Sequence, residues 1–515
     1  MTNQDIEVLW HYHNATKHSY QSGRSGTHHL DWANHPLPFK IYPELKPIPL
    51  PRDWPGSEGN ALSAISSAGT PASSDARMDL RTLAAILYHS AGITRRRSYP
   101  GGEIYFRAAA CTGALYEVEL YLACGQLADL DAGLYHFDPL DFALRKLRDG
   151  DCRGVLAHAT ANHPSVEHAP VTLVCTGTYW RNAWKYQART YRHFYWDNGT
   201  MLANLLAMAA ALRLPARLVM GFVDEQVNRL LGLDTEREVA ISMVALGKSP
   251  DKFAPAITEI TPLEFETVPA SKAEVDYPLM RSAHAASSLV TAEEVRAWQG
   301  PAALGRTAEP VGQMVDLKPL PDSRLPQETI EQVILRRGST RQFARKPIHF
   351  EQLSTLLAHA TQEIPADFLD PLGARLNDLY LIVNAVEGLP SGAYFFQRDQ
   401  QKLELLKEGD FREQAGHLGL DQELPGDAAV DVFFLAGLQP ILERFGNRGY
   451  RAAQIEAGIM GGKLYLASYA QMLGASGLTF YDDEVTDFFS PPAAGKSAIF
   501  LVAIGIPAKR QLPVL

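Results

Sequence analysis

The feature that most constrains this chain is a repeat held in one register. Tyr191-Arg192 and Gly199 recur as Tyr450-Arg451 and Gly458, each 259 residues on (450 − 191 and 458 − 199). The same spacing links Arg189 to Arg448, Tyr121 to Tyr380, Gly133 to Gly392, Tyr135 to Tyr394 and Asp151 to Asp410. One register across so many positions implies a duplicated domain, since solenoid repeats run only about 20–50 residues. Two copies in one chain can form a covalent dimer, and a dimer interface is a natural place for a site.

The repeat divides the 515 residues into a first half over 1–250, a linker over 251–327 and a second half over 328–515. The first half carries an irregular Pro-, Gly-, Ser- and Ala-rich stretch over about 21–77, which reads as a surface wrap. The linker is punctuated by prolines from Pro255 to Pro326 and is too long for a bare connector, so part of it should lie against a domain. Helical spacing runs from Met78 to Ala91, with Leu83, Ile86 and Leu87 on one face, and again from Phe350 to Thr361, with Leu353, Leu356 and Leu357. These two match at an offset of 270 (353 − 83), so the loop that follows should differ in length by 11 residues (270 − 259). Strands are expected at Ala114 to Cys124, Val171 to Cys175, Leu379 to Val383, Val430 to Leu435 and Ala498 to Ile504. Buried helices are expected at Thr200 to Leu212 and Gly458 to Leu473. The order is α+β in each half.

A net charge of −10 gives no general attraction to nucleic acid or to an anionic membrane, although Arg95-Arg96-Arg97 could hold a small phosphate locally. The most apolar run, Thr200 to Leu212, is too short to span a bilayer, and the N-terminus lacks a secretory pattern. The four cysteines, at 111, 124, 152 and 175, form no CxxC pair, so no metal site is expected, and a reducing cytoplasm fits them best.

Four segments carry chemistry. Arg337-x-Ser339-x-Arg341, in RRGSTRQF, could grip a phosphate with two guanidinium forks and a hydroxyl, or it is a solvated basic run. Ala110-Cys111-Thr112-Gly113 makes a small-residue turn whose N–H groups could read the polar edge of a flat ring, or it is an ordinary loop. Lys185-Tyr186, in WKYQARTYR, is a candidate acid–base pair, or a core tyrosine beside a solvated lysine. Leu478 to Glu484 (LTFYDDE), matched by Gly221 to Glu225, could border a site or simply join helix to strand. Other signals fail. Gly495-Lys496-Ser497 lacks the first glycine of a P-loop, Gly458-x-x-Gly461-Gly462 lies within a helix, and His28-His29 has no second pair at zinc spacing.

Together these segments resemble the nitroreductase-fold flavoproteins, and within them the SagB/ThcOx-type (streptolysin-type) dehydrogenases that oxidise azoline rings in peptides. RRGSTRQF is similar to the family's flavin-phosphate motif, and ACTGALYEVELYLA to its PSxGALYPLELYL strand, with Ala110 and Cys111 where Pro and Ser are usual. KYQARTYR is similar to KYGxRxYR, GLTFYDDE to the flavin-facing loop, and YHNATKHSY to the N-terminus of the long, fused members.

The resemblance implies tandem FMN-dependent nitroreductase-like domains forming an intramolecular pseudo-dimer, without need of homodimerisation. In the family two subunits share each flavin, one giving the arginine motif and the other the small-residue turn. It thus implies that Arg337, Ser339 and Arg341 hold the FMN phosphate, with Lys509 and Arg510 adding charge. Cys111, Thr112 and Gly113 would face the pyrimidine edge, Thr479, Phe480 and Tyr481 would border the ring, and Lys185 and Tyr186 would manage the substrate proton. The first half offers only Lys17 and Ser19 (TKHSYQ) for the phosphate motif. The second offers Asp370-Pro371-Leu372-Gly373 for the turn and Arg444-Phe445 for the pair. One working site and one decayed site are therefore expected. The implied activity is oxidation of a peptide or small heterocycle, with a cyclodehydratase-type partner. The alternatives are an NAD(P)H-dependent nitro or quinone reductase and a non-catalytic docking scaffold.

Overall fold

The computed structural model describes residues 2–21, 28–67, 78–99, 102–249, 260–299, 312–369 and 374–508. Each half is built on a seven-stranded antiparallel sheet. In the first, β1 (Pro47–Pro49), β4 (Val118–Cys124), β5 (Gly133–Asp138), β6 (Ala143–Asp149), β7 (Val171–Thr178), β8 (Ala216–Val219) and β9 (Glu238–Leu246) lie in the order β1-β6-β5-β4-β7-β9-β8. In the second, β10 (Gln313–Asp316), β12 (Asn377–Val383), β14 (Gly392–Gln397), β15 (Lys402–Glu408), β16 (Val430–Ala436), β17 (Gly474–Leu478) and β18 (Ser497–Gly505) lie in the order β10-β15-β14-β12-β16-β18-β17. Replacing each strand of the first order by its repeat mate gives the second, so the duplication is one of topology as well as of sequence. Tandem α+β domains of this kind are what the sequence implied.

The helices extend beyond their expected limits. The run at Thr200 to Leu212 is the second half of Thr190–Ala211, and the run at Gly458 to Leu473 belongs to Arg448–Ala470; both are buried almost throughout. They cross where Gly199 meets Gly458. A Cβ on Gly199 would stand 2.6 Å from the Gly458 carbonyl carbon, and one on Gly458 2.7 Å from the Trp196 carbonyl oxygen, so only glycine fits on either side. One hydrophobic cluster runs through both halves, from Leu9 to Ile504, with smaller separate clusters beside it. No helix among the described residues is long and apolar enough to cross a membrane.

The expected strand from Ala114 begins only at Val118, because Gly113, Ala114 and Tyr116 take positive φ and form a tight turn. The 11-residue difference between the halves is accounted for by a two-stranded hairpin, β2 (Ile93–Tyr99) and β3 (Gly102–Arg107), which the first half inserts between its early helix, Leu80–Ala91, and β4. The second half has a short parallel pair at a different place, β11 (Ile348–His349) before its early helix and β13 (Val386–Glu387) after β12.

The linker contributes more than a connection. Its helix Pro278–Ala286 is the repeat mate of the N-terminal helix Glu7–Ala15, so the repeat reaches back to that helix. The equivalence is visible in two ion clusters that clasp the halves. In one, Asp482 of the second half binds Arg189 (3.1 Å) and Arg192 (2.6 Å) of the first. Asp482 also accepts the His18 N–H (2.8 Å), while Arg192 donates to the His13 carbonyl and the Thr16 hydroxyl. In the other, Asp224 of the first half binds Arg448 (2.6 Å) and Arg451 (2.9 Å) of the second. Asp224 accepts the Leu289 N–H (2.9 Å), and Arg451 donates to the His284 carbonyl and the Ser287 hydroxyl. This pairing of Thr16 with Ser287 corrects the sequence alignment. TKHSYQ is not the first half's phosphate motif, and Lys17 instead pairs with Asp483 at 2.7 Å. The helix Ala61–Ser66 is the mate of Ile330–Arg336, so Arg337 corresponds at offset 270 to Ser67, and the rest of that motif lies outside the described residues.

Candidate functional site

Two of the expected parts belong to the first half. The turn at Cys111–Gly113 is fixed from behind by the long helix: Asp197 accepts the Thr112 N–H (2.8 Å) and hydroxyl (2.9 Å) and the Cys111 thiol (3.2 Å). Glu117 stands beside it, 3.4 Å from the same sulfur. Burial, and then Glu117, push the Asp197 carboxyl well above its ordinary range. Burial, followed by the two carboxyl groups, likewise pushes the Cys111 thiol up, which removes it as a nucleophile.

The helix Tyr179–Tyr186 ends against this turn. A Cβ at Gly113 would lie 2.9 Å from the Tyr186 hydroxyl, so glycine is what permits the approach. Lys185 is exposed, with its ammonium 5.2 Å from the centre of the Tyr186 ring. Partial burial and the nearby Arg341 lower the Lys185 pKa. Burial, then Asp197 and Cys111, raise that of Tyr186, while Arg341 opposes the rise.

Arg341 comes from the second half, and its charge reaches both members of the pair. It lies in the segment after Ile330–Arg336, which runs along β17 through Thr340 N–H to the Ala475 carbonyl (2.9 Å). Arg341 is exposed and forms no ion pair among the described residues. Ser339 is within 3.3 Å of the Tyr465 hydroxyl. Arg337 behaves differently from the expectation of a free phosphate clamp. It donates to the carbonyls of Ala108 (3.0 Å) and Arg107 (3.4 Å) in the first half, tying the arginine segment to the turn across the interface. The structure thus brings Arg337 to the carbonyls of Arg107 and Ala108, just before the turn, and Arg341 to Lys185 and Tyr186, whereas Ser339 meets Tyr465 of its own half.

The loop at 479–481 divides. The Thr479 hydroxyl is buried without a partner among the described residues. Phe480 is buried between Trp196 and Arg189 and serves as core. Tyr481 turns away, donating to Asp421 (2.8 Å) and packing on His417. Lys509 and Arg510 lie outside the described residues, as do 370–373. An orphaned hydroxyl, an unpaired arginine and a glycine turn pressed under a tyrosine fit a flat anionic cofactor such as FMN.

The twin position is occupied by the protein itself. Lys185 and Tyr186 are matched by Arg444 and Phe445. The loop 220–223 is the mate of 478–481, and there Asp367 accepts the N–H groups of Met220 (2.9 Å) and Gly221 (2.8 Å). Gln299 donates to the Gly221 carbonyl. Trp298, 3% exposed, packs between Phe368 and Phe445 with Arg448 above its ring. None of Asp197, Glu117, Asp367 and Trp298 stood out in the sequence. Only Asp197, 259 residues before Glu456 and so aligned with another acid, left a signal there.

Known proteins agree with this architecture. The nitroreductase family model matches residues 79–248 and 334–506, so the chain belongs to the nitroreductase family, twice over, and is an oxidoreductase of that superfamily. A crystal structure described as a nitroreductase from Anabaena variabilis covers 97% of this chain and 99% of its own, at 26% identity and a TM-score of 0.75, so the tandem arrangement exists in another single chain. A protein described as a nitroreductase from Methanocaldococcus jannaschii is 24% identical over 171 residues, covering 33% of this chain and 81% of its own. A chain of the Escherichia coli microcin synthetase McbBCD complex with truncated pro-MccB17 bound covers 48% of this chain, at 18% identity and a TM-score of 0.30.

Proposed function

We propose that this chain is an FMN-dependent dehydrogenase with one flavin centre, acting on an azoline-bearing peptide or a small heterocycle. The observation that carries this reading is the approach of Arg341 of one half to Lys185 and Tyr186 of the other, with the Tyr186 hydroxyl over Gly113, while at the twin position Asp367 caps Met220 and Gly221 and Trp298 packs on Phe445. Ser339 and Arg341 would hold the phosphate end, helped by Lys509 and Arg510. The backbone of Cys111, Thr112 and Gly113 would meet the pyrimidine edge, and Thr479 would offer its free hydroxyl. The bound flavin supplies hydride acceptance, which no side chain can provide. The raised pKa of Tyr186 keeps its phenol protonated and able to donate. The lowered pKa of Lys185 makes its amine the readier acceptor of the substrate proton. A cyclodehydratase-type partner would supply the azoline.

About one FMN per chain is expected, and two would end the single-centre reading. The double variant Lys185→Ala with Tyr186→Phe should keep its FMN and lose turnover; full activity in it would remove the pair from the chemistry. The family assignment favours a second reading, hydride passed from NAD(P)H to a nitro or quinone acceptor. Bleaching of the flavin by NAD(P)H alone would favour that reading.

A further inference from the structure

Among the described residues the hairpin β2–β3 is present only in the first half, beside the candidate site, and the mechanism above gives it no role. Its strand β2 carries Arg95, Arg96 and Arg97 in a row, all exposed, on a chain whose net charge is −10. None of the three forms an ion pair among the described residues; Arg96 donates only to the Leu140 carbonyl. The hairpin's one acid, Glu103, accepts instead from Ser98 and Tyr105. Cross-strand rings hold two of the guanidinium groups in place, Arg95 over Phe106 at 4.6 Å and Arg96 over Tyr105 at 5.5 Å. Neither outer edge of the hairpin pairs with another strand among the described residues, and Tyr99 and Ile104 are half exposed on it. At its base, Arg107 is buried and donates to the carbonyls of Pro38 and Val118, and the charge of Arg95 reaches Arg337.

We propose that this hairpin is a docking arm for an acidic, extended peptide segment, which adds to an open edge of β2–β3 and sets carboxylates from its two faces against Arg95 and Arg97 on one side of the hairpin and Arg96 on the other. An open strand edge gives main-chain hydrogen bonds to a peptide. A row of unpaired guanidinium groups selects carboxylates, and charge complementarity of this kind fixes the partner more than it adds affinity. A nucleic acid would also meet the arginines, but it has no strand to add to the edge. The proposal draws on the proposed function only in making the segment part of a substrate; the docking itself does not depend on flavin.

Fluorescence polarisation with a labelled decaglutamate peptide on the full chain tests it, with decalysine and a ten-nucleotide oligothymidylate as controls and the flavin absorbance recorded in parallel. The acidic peptide should bind, the lysine peptide should not, and binding should weaken as salt rises. The variant Arg96→Glu with Arg97→Glu should weaken binding at least tenfold at unchanged flavin content and melting temperature. Arg97→Glu alone, wholly on the surface, should give a smaller loss in the same direction. No binding by the parent protein, equal binding by the double variant, or tighter binding of the oligonucleotide would overturn the proposal. A colourless protein that still binds the peptide would count against the flavin reading alone, and a yellow one that ignores it against the arm alone.

Discussion

The two ion clasps and the two sites began as equal pairs, and only the clasps stayed equal. Asp482 with Arg189 and Arg192 matches Asp224 with Arg448 and Arg451 atom for atom, down to the backbone N–H each carboxylate accepts and the hydroxyl beside it. At the sites, one side keeps Gly113 under Tyr186, while the other has Phe445 against Trp298. The difference follows from what each feature does. A clasp sits in the shared core, where an unpaired charge is costly whichever half supplies it. The site positions are under no such constraint: Tyr186 faces Gly113 in one half, whereas in the other Phe445 packs on Trp298 and Asp367 caps the N–H groups of Met220 and Gly221.

Replacing either aspartate breaks the comparison most strongly. Asp482→Ala and Asp224→Ala each leave two fully buried arginines without a carboxylate, which costs about 3–5 kcal/mol. The losses, read from urea unfolding midpoints, should be alike; a tolerated change at one clasp would show that the symmetry is geometric but not energetic. Acid should act on both together. Burial alone would raise Asp482 and Asp224, but their arginine partners overcome it and hold both below the ordinary carboxylate range. A depressed native pKa gives stability that is present above the unfolded value of about 3.9 and lost as pH falls through it toward the native value. Unfolding of the parent should therefore become easier below about pH 4, and the Asp482→Ala variant should show a weaker dependence there.

The filled twin site comes next. Trp298→Ala empties a buried aromatic position and should cost about 3 kcal/mol, yet leave FMN content unchanged. A gain of a second FMN would mean that the indole alone closes the twin site. Gly458→Ala drives a methyl into the opposite long helix and should cost about 1–3 kcal/mol through overpacking, with Gly199→Ala behaving the same across the pseudo-twofold axis.

The fold was legible because the repeat ties distant positions together and because the strands carry unbroken apolar runs such as VDVFFL and AIFLVAI. The site was legible in part. Arg341 and Gly113 could be placed by their motifs, yet nothing in RRGSTRQF says that Arg337 turns to the carbonyls of Arg107 and Ala108, since those partners come from a segment 230 residues away. TKHSYQ resembles the arginine motif only in residue type: it stands 320 residues before it (337 − 17), a spacing that neither the core offset of 259 nor the helix offset of 270 supports, and the 270 offset leads to Ser67 instead. Trp298 and Asp367 were hidden for another reason: residues that fill a lost site carry no motif, only shape.

The smallest effect on stability is the most informative about chemistry. The Tyr186 side chain is partly exposed and its phenol lies over Gly113, so Tyr186→Phe removes a hydroxyl that the fold does not need and should change stability by less than about 0.5 kcal/mol. The reciprocal change, Phe445→Tyr, introduces a hydroxyl beside Trp298 in a sealed apolar setting and should cost about 1–3 kcal/mol, the penalty for a buried polar group without a partner. Turnover should respond in the opposite order, falling with Tyr186→Phe and holding with Phe445→Tyr. Equal stability losses from the two changes would mean that both positions are packed alike, and the asymmetry between the halves would then rest on the arginine segment alone.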